Sequence, residues 1–358
     1  MKTVTGDLEF IPEFDFKSIC SPEEMLFFDI ETTGLKKETT QLYLIGCAYY
    51  SDGCWKIRQW LAQNARDEEY ILEDFFDLAS GYRTLVHFNG DGFDIPYVKY
   101  KSDFYSISCP LDCMKSFDIY RHARVSKKLL NQSSMSQKSV EAFLGIERDD
   151  QYDGGRLIPV YYNYERSGDP YLEELLLLHN FDDLQGMIKI LPILSYSSIF
   201  DGNYCFTGYE EHQNKLTVNY RLNDTIPRKC ETYTASGNVQ VYAENDLLQL
   251  NIDIFEGTAR TFLENVSDYY YLPEEDTVIH KDVAQFADRG KRIRATRKNC
   301  YLKKEGKYIS SCPSWNGKIF FRMDDKKNAM ADIEDIIKGD TDNIFNDYAR
   351  YILNTISS

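Results

Sequence analysis

Asp29 and Glu31 are two acidic residues in an otherwise apolar stretch, MLFFDIE (residues 25–31). Because side chains on a strand alternate between its two faces, both carboxylates are predicted to point the same way, while Phe28 and Ile30 point into a core. Two like charges side by side on a strand destabilise it unless something positive offsets them. Mg²⁺ and Mn²⁺ prefer carboxylate oxygens, so the pair indicates either a divalent-metal site or a solvated strand face.

Two further carboxylates, Asp94 and Asp183, lie at a predicted turn–helix junction and on a late predicted helix. Four carboxylates with no matching cluster of cations are suited to a pair of divalent ions, which clamp the attacking and leaving oxygens of a phosphoryl displacement. His179 precedes Asp183 by four residues, so both side chains share one helix face. An imidazole there can take a proton from the attacking water, although a packed helix histidine is the simpler alternative.

The elements predicted around these residues alternate between strands and helices. The strands are 25–31, 41–50, 54–61 and 83–88, and the helices are 68–78, the segment after the glycine-rich turn 89–94, 117–125, 137–144 and 171–191. The first three strands form a meander, since 51–53 is a turn-type tripeptide. This alternation can bring Asp29, Asp94 and Asp183 to one edge of a mixed sheet.

The pattern changes at residues 192–202, which we interpret as a domain boundary. Short alternating runs at 204–220, 231–242 and 247–255 predict an antiparallel sheet, and 327–356 predicts two helices broken at Gly339. The sequence therefore predicts an N-terminal arm (1–24), an α/β domain (25–196) and a smaller α+β domain of unknown role (197–358).

Composition limits the classes of protein to consider. The chain has 358 residues, 43% of them hydrophobic, and a net charge of −16, which argues against a general phosphate-binding surface. No apolar run reaches the ~18 residues of a membrane span, and Met1–Phe10 does not resemble a secretory signal. The nine cysteines are scattered, so we expect reduced thiols in a cytoplasmic protein.

One segment, residues 281–307, reverses the overall charge. It holds ten basic residues against three acidic ones, an excess of seven positive charges. A phosphate-tracking surface is one interpretation, and a solvated basic face is the other. On the first interpretation, we expect phosphate contacts from Arg292, Arg294, Arg297 and Lys298.

Three motifs resemble those of a known nuclease group. FDIETTGL (residues 28–35) resembles the first motif of the DEDD exonucleases, VHFNGDGFD (86–94) the second, and HNFDD (179–183) the third. The sequence around and between these motifs is similar to the YprB-like ribonuclease-H-like family. The residues that carry this similarity are Phe117–Tyr120, Ser139–Glu141, Leu144–Ile146, Arg148, Gly154–Gly155, Ile158–Pro159, Tyr161 and Asn180. The resemblance covers roughly residues 20–195.

The resemblance implies a ribonuclease-H-like mixed sheet flanked by helices and a 3′→5′ exonuclease that acts on single strands of RNA or DNA. Two Mg²⁺ or Mn²⁺ ions are then expected, with Asp29 shared, Glu31 and Asp183 completing the first site, and Asp94 supporting the second. Nucleic-acid contacts are expected from Thr32, Asn89 and Phe93. Two alternative functions are a non-catalytic nucleic-acid-binding module and a structure-specific endonuclease. A protein partner for the C-terminal domain is an additional hypothesis.

His179 departs from the pattern of this nuclease group. Its members place a tyrosine four residues, or a histidine five residues, before the last aspartate. Here His179 precedes Asp183 by four residues and Asp182 by three. We assign Asp183 as the ligand because Asn180-x-x-Asp183 matches the YprB-like pattern.

Overall fold

In the computed structural model, which describes residues 1–8, 14–148 and 154–357, the acidic stretch at 25–32 is a central strand. Its residues Met25–Phe28 are buried, because the strand has a neighbour on each side and helices on both faces of the sheet. The strands of this sheet are β1 (Lys2–Asp7), β2 (Met25–Thr32), β3 (Leu42–Ser51), β4 (Cys54–Leu61), β5 (Thr84–His87) and β6 (Lys115–Asp118).

The sheet is mixed, with strand order β1-β4-β3-β2-β5-β6. Strands β2, β5 and β6 are parallel, whereas β3 is antiparallel to β2 and the β1–β4 and β3–β4 pairs are antiparallel. The α/β fold class is therefore confirmed. The first residues of the predicted arm form the edge strand β1, and residues 9–13 of that arm lie outside the described residues.

Helices accompany this sheet, and α1 and α6 pack directly on its strands. They are α1 (Asp67–Ala79), α2 (Asp94–Tyr105), α3 (Ile119–Ala123), α4 (Gln137–Leu144), α5 (Gly154–Ser167) and α6 (Pro170–Lys189). Helix α7 (Leu194–Phe200) follows in the chain, where the first unit ends. Helix α1 buries Ile71, Leu72 and Phe75, and the Phe75 ring stacks on Phe28 of β2 at 5.6 Å. Helix α6 begins where Asp169 caps the Tyr171 amide, since an aspartate followed by proline favours a helix start.

The helix predicted at 117–125 is wrong at its beginning. Lys115–Asp118 is strand β6, which pairs with β5 in parallel, whereas Ile119–Ala123 is α-helical and Arg124–Ser126 continues it as a 3₁₀ turn. Asp118 divides the two, because its side chain accepts from the Arg121 amide as a helix cap. A four-residue strand is too short for its side-chain period to be distinguished from that of a helix.

The chain divides into two compact units, residues 1–127 with 132–197 and residues 128–131 with 198–358. The strands of the second unit are β7 (Tyr204–His212), β8 (Lys215–Tyr233), β9 (Val239–Asp253), β10 (Phe255–Phe262), β11 (Tyr269–Leu272), β12 (Thr277–His280), β13 (Ile293–Arg294), β14 (Tyr301–Ser310), β15 (Phe321–Arg322) and β16 (Met330–Asp332). Their sheet orders are β7-β8-β9, β15-β10-β14-β16 and β12-β11-β13.

The antiparallel sheet predicted for this unit is confirmed, but its strand boundaries are wrong. The run 204–220 is a hairpin that turns at Gln213 and Asn214, both at positive φ. The runs 231–242 and 247–255 fall largely on the long strands β8 and β9. Bulges let these strands continue through polar stretches that sequence alone assigns to loops.

Helices α8 (Lys281–Ala284), α9 (Ile333–Lys338) and α10 (Thr341–Ser357) also belong to the second unit. The predicted break at Gly339 is confirmed, although residues 327–332 are not helical. Phe345 of α10 packs against Phe206 and Tyr209 of β7. In the parts of the chain that the structure describes, no helix has the length and apolar character needed to cross a membrane.

Candidate metal centre

The carboxylates of Asp29 and Glu31 lie on the same face of β2, as the period of a strand requires. Asp29 pairs with Gly46 of β3, Glu31 pairs with Leu44, and the register shifts directly after Glu31. Glu31 is 8% exposed, so its charge is largely removed from water. Helix α6 packs against β2 and β3 and carries His179 and Asp183 to the same place.

Glu31, His179 and Asp183 form the tightest group. The His179 Nε2 atom is 3.4 Å from the Glu31 Oε1 atom and 3.4 Å from the Asp183 Oδ2 atom. One potential ligand atom from each of the three residues lies within 4.8 Å of the others. Two carboxylate oxygens and an imidazole nitrogen are a donor set that fits a divalent ion such as Mn²⁺.

Asp29 and Asp94 share the electrostatic field of this group. Burial raises the pKa of Asp29 well above its ordinary value, and the charges of Asp183, Glu31 and Asp94 raise it further. Burial likewise raises the pKa of Asp94 to about 6, against hydrogen bonds from backbone amides. The four carboxylates are thus crowded in a poorly hydrated place, which a bound cation would relieve.

Neutral amides support Asp29. The Asn180 Nδ2 atom donates to the Asp29 Oδ2 atom at 2.9 Å, and the Asn180 Oδ1 atom accepts from Gln59 Nε2 at 2.9 Å. Gln59 also donates to the Leu177 carbonyl. A Cβ atom at Gly46 would lie 1.9 Å from the Asn180 Oδ1 atom, so glycine at this position lets Asn180 reach across the strand.

An ion pair supports Asp183. The guanidinium of Arg148 donates to the Asp183 Oδ1 atom at 2.6 Å and to both oxygens of Glu141 at 3.1 and 3.0 Å. Gln137 donates to the Asp183 carbonyl at 2.8 Å. A Cβ atom at Gly186 would lie 2.1 Å from the Glu141 carboxylate, so α4 and α6 approach closely there. One oxygen of Asp183 therefore faces Arg148, and the other faces His179.

The turn before Asp94 is held by two side chains. The Asn89 amide, at φ 62°, donates to the Asp118 Oδ1 atom at 2.8 Å, and the Gly90 amide donates to His87 Nδ1 at 3.0 Å. His87 Nδ1 is therefore an acceptor, and Nε2 carries the hydrogen toward Ser116 Oγ at 2.7 Å. Burial lowers the pKa of His87, so this neutral histidine positions the turn that delivers Asp94.

The predicted nucleic-acid contacts lie around this centre or in the second unit. Thr32 donates to the Gly34 carbonyl, and Phe93 contacts the Tyr97 ring at 5.5 Å. Asn89 lines a cleft of about 510 Å³ together with Phe88, Tyr120, Lys127, Ser133–Ser136 and Gln137. Arg292, Arg294, Arg297 and Lys298 all belong to the second unit.

The first unit thus brings together all five residues predicted for the centre: Asp29, Glu31, Asp94, His179 and Asp183. The sequence analysis missed Gln59 and gave Arg148 no role. Gln59 carried a signal, because it follows the buried Trp55 and Ile57 at the same phase of β4 and an amide there needs a partner. Arg148 carried none, since its partners are set by how α4 packs on α6.

Comparisons with known proteins agree with this architecture. Residues 26–195 match the family model of the RNase_H superfamily. Among curated proteins, none matches the chain significantly.

Solved structures similar to the chain include two of exonuclease I and one of a DNA polymerase. They are a product-bound exonuclease I (9% identity, 55% of this chain, 58% of that chain, TM-score 0.35), a family B DNA polymerase from Pyrobaculum calidifontis (10%, 94%, 46%, 0.42) and E. coli exonuclease I in complex with a dA16 oligonucleotide (10%, 56%, 55%, 0.30). The chain therefore aligns with less than two thirds of each of these proteins. TM-scores this low establish neither a shared fold nor a shared activity.

The assignment therefore rests on the family match and on the mixed sheet with its flanking helices. The finer resemblance to the YprB-like family stays a prediction, since the family match does not extend to that level. Residues 26–195 of this chain match the family model of the RNase_H superfamily, and their mixed sheet with flanking helices is a ribonuclease-H-like fold.

Proposed function

We propose that this protein is a metal-dependent nuclease that removes nucleotides from the 3′ end of single-stranded nucleic acid. One observation carries the proposal. Carboxylates from a strand (Asp29 and Glu31), a helix start (Asp94) and a second helix (Asp183) converge beside an imidazole. Such crowding destabilises a protein without bound metal. Two divalent ions would compensate these charges and would also catalyse phosphodiester hydrolysis.

The residues that would hold the ions are the four carboxylates. Their hard oxygen donors fit Mg²⁺ or Mn²⁺. The raised pKa of Asp29 reflects its burial first and then the neighbouring negative charge, which a cation would offset. Divalent ions at such a centre supply Lewis acidity toward a phosphoryl oxygen and a lowered pKa of water. The amides that hold Asp29 and the arginine that holds Asp183 keep the carboxylates in place before any ion binds.

His179 would accept the proton of the attacking water. It is 4% exposed, and its Nε2 atom lies between the carboxylates of Glu31 and Asp183, two of the residues that would hold an ion. The same distances also suit a role as a third ligand. The two roles differ in effect, since a base governs turnover, whereas a ligand governs metal affinity.

The cleft beside Asn89 is a candidate place for the terminal nucleotide. Phe88 and Tyr120 line it, with ring centroids 5.7 Å apart, and Gln137, which contacts the Asp183 backbone, forms another part of its wall. Aromatic rings favour unpaired bases. The 3′→5′ direction and the preference for single strands come from the resemblance to the DEDD exonucleases.

End-labelled oligonucleotides test the proposal. A single-stranded 20-mer of DNA and one of RNA, each labelled at the 5′ end or at the 3′ end, would be incubated with Mn²⁺, with Mg²⁺ or with EDTA. The 5′-labelled substrate should give a ladder of shortened products, and the 3′-labelled substrate should release a labelled mononucleotide early. Both results are expected with Mn²⁺ or Mg²⁺ and not with EDTA. Asp29→Asn is the matched inactive control.

Other outcomes would contradict this function. Cleavage of a circular single strand would indicate an endonuclease. Retention of the oligonucleotide without cleavage under every metal condition would indicate a binding module.

A further inference from the structure

The basic residues of segment 281–307 separate into two groups in the second unit. Five lysines form ion pairs with carboxylates: Lys281 with Asp268, Lys291 with Glu274, Lys303 with Asp276, Lys304 with Asp332, and Lys307 with Glu211. Among the residues that the structure describes, no carboxylate pairs with the remaining five, Arg289, Arg292, Arg294, Arg297 and Lys298. The positive charge that is free for a ligand is therefore carried mostly by arginines.

Two of these arginines are held by one tyrosine. Arg294 lies directly opposite Tyr270 in the β11–β13 pair, and its guanidinium is 4.5 Å from the centre of the Tyr270 ring. The Arg292 guanidinium is 5.0 Å from the same ring, because Arg292 directly precedes β13 with extended backbone and so shares the face of Arg294. A ring attracts a guanidinium without neutralising it, so both charges stay available and their positions are restricted.

Asp276, which lies between β11 and β12, has partners other than these arginines. Asp276 accepts hydrogen bonds from Tyr271 and Tyr301 and pairs with Lys303, and these partners hold its pKa down at about 2. Arg294 instead donates to the Ser267 carbonyl at 3.1 Å. Arg297 and Lys298 follow in an exposed turn.

We propose that Tyr270, Arg292, Arg294, Arg297 and Lys298, called here the arginine surface, bind the phosphate backbone of a single-stranded nucleic acid. Planar guanidiniums in fixed positions suit phosphate oxygens, and a polyanion is the partner that complements several cations without paired acids. Phe286, in the same segment, is 85% exposed, and a free ring can stack on an unpaired base. The choice of nucleic acid rests on the proposed function, but binding does not require the metal centre.

Equilibrium binding without cleavage tests this surface. The full chain in EDTA would be titrated into a fluorescent single-stranded 20-mer, with anisotropy as the signal. We expect the quadruple variant Arg292→Ala, Arg294→Ala, Arg297→Ala, Lys298→Ala to raise Kd roughly tenfold or more. The salt slope should fall by ~0.7 for each phosphate that the variant no longer neutralises.

A matched control removes the same charge from the paired lysines. The variant Lys281→Ala, Lys291→Ala, Lys303→Ala, Lys307→Ala also loses four positive charges, and we expect its Kd to change less than about threefold, because these lysines already face carboxylates. Equal losses in both variants would overturn the proposal in favour of a general charge effect. The double variant Arg297→Ala, Lys298→Ala changes exposed turn residues only. If the quadruple variant does not fold, the Kd of this double variant still tests the proposal.

Two further arms define the partner. Stronger binding to vesicles of anionic phospholipid than to the oligonucleotide would overturn the proposal and assign the surface to a membrane. Equal affinity for polyglutamate would overturn it as a non-specific anion effect. Specific binding of the 20-mer by a protein that never cleaves it would support the arginine surface and reject the nuclease function, so the two proposals fail separately.

Discussion

The two ends of the candidate metal centre are supported in different ways. At one end, neutral amides of Asn180 and Gln59 hold Asp29. At the other end, Arg148 holds Asp183 and is itself held by Glu141. A neutral amide orients a carboxylate but does not compensate its negative charge. A guanidinium both orients the carboxylate and compensates its charge. The centre therefore fixes the geometry of both carboxylates and neutralises only one of them.

This difference decides where a cation gains most. A neutral hydrogen bond contributes ~1 kcal/mol, and one to a charged group ~1.5–3 kcal/mol. The pKa of Asp29 stays well above its ordinary range despite the Asn180 hydrogen bond, so ionising it in the apo protein is unfavourable. On the proposed function, Asp29 depends more on a metal ion than Asp183 does, because Arg148 already offsets the charge of Asp183.

Replacing Asp29 should have the largest effect. Asp29→Asn keeps the hydrogen bond to Asn180 and removes the charge, so we expect loss of nuclease activity by roughly 10³-fold or more, because a carboxylate shared by two ions has no substitute. The melting temperature without metal should rise, since like-charge crowding is relieved. Activity assays and calorimetry measure both effects, and Asp77→Asn on the exposed face of α1 is the charge-matched control. Activity equal to that of the original protein would reject the two-metal interpretation.

Replacing His179 should separate turnover from metal binding. We expect His179→Ala to lower kcat by roughly 10²–10⁴-fold, the usual contribution of a general base, with the Mn²⁺ affinity nearly unchanged by calorimetric titration. A large loss of Mn²⁺ affinity would instead assign His179 as a ligand.

Breaking the charged support should cost more stability than breaking the neutral one. Arg148→Met leaves Glu141 and Asp183 uncompensated, so we expect a loss of roughly 3–5 kcal/mol in the free energy of unfolding. Asn180→Ala should cost roughly 1–3 kcal/mol. Denaturant unfolding without metal measures both, with the exposed Arg124→Met as control.

Added Mn²⁺ sharpens the same comparison. It should restore more stability to Arg148→Met than it adds to the original protein, because the ion offsets charge that Arg148 no longer offsets. Equal metal effects in Arg148→Met and Asn180→Ala would mean that the two supports do not differ as described.

A smaller effect should appear in the pH dependence of the metal-free protein. The pKa of Asp94 is raised to about 6, so the folded state holds more protons than the unfolded state, and stability should fall as pH rises from about 4 to about 6. At ~1.4 kcal/mol per pKa unit, Asp94 contributes at most roughly 3 kcal/mol. Denaturant unfolding at several pH values measures this, and the free energy of unfolding should depend less on pH in Asp94→Asn. An unchanged pH dependence would show that Asp94 does not belong to the crowded group of carboxylates.

Local sequence determined the parts of this centre that depend on local geometry. The alternation in β2 placed Asp29 and Glu31 on one face, and the helical spacing placed His179 beside Asp183. The glycine-rich turn before Asp94 could also be predicted from sequence, because few residues other than glycine and asparagine adopt the positive φ seen at Asn89.

Only the tertiary structure decided how the carboxylates are supported. Gln59 and Asn180 are 121 residues apart, and Arg148 and Asp183 are 35 apart. No local period relates such residues, since their contact depends on how α4 and α6 pack on each other and on the sheet. The same holds for the arginine surface, where the pairing of β11 with β13 placed Arg294 on Tyr270. Residue type shows which groups need a partner, and packing decides which partner each one has.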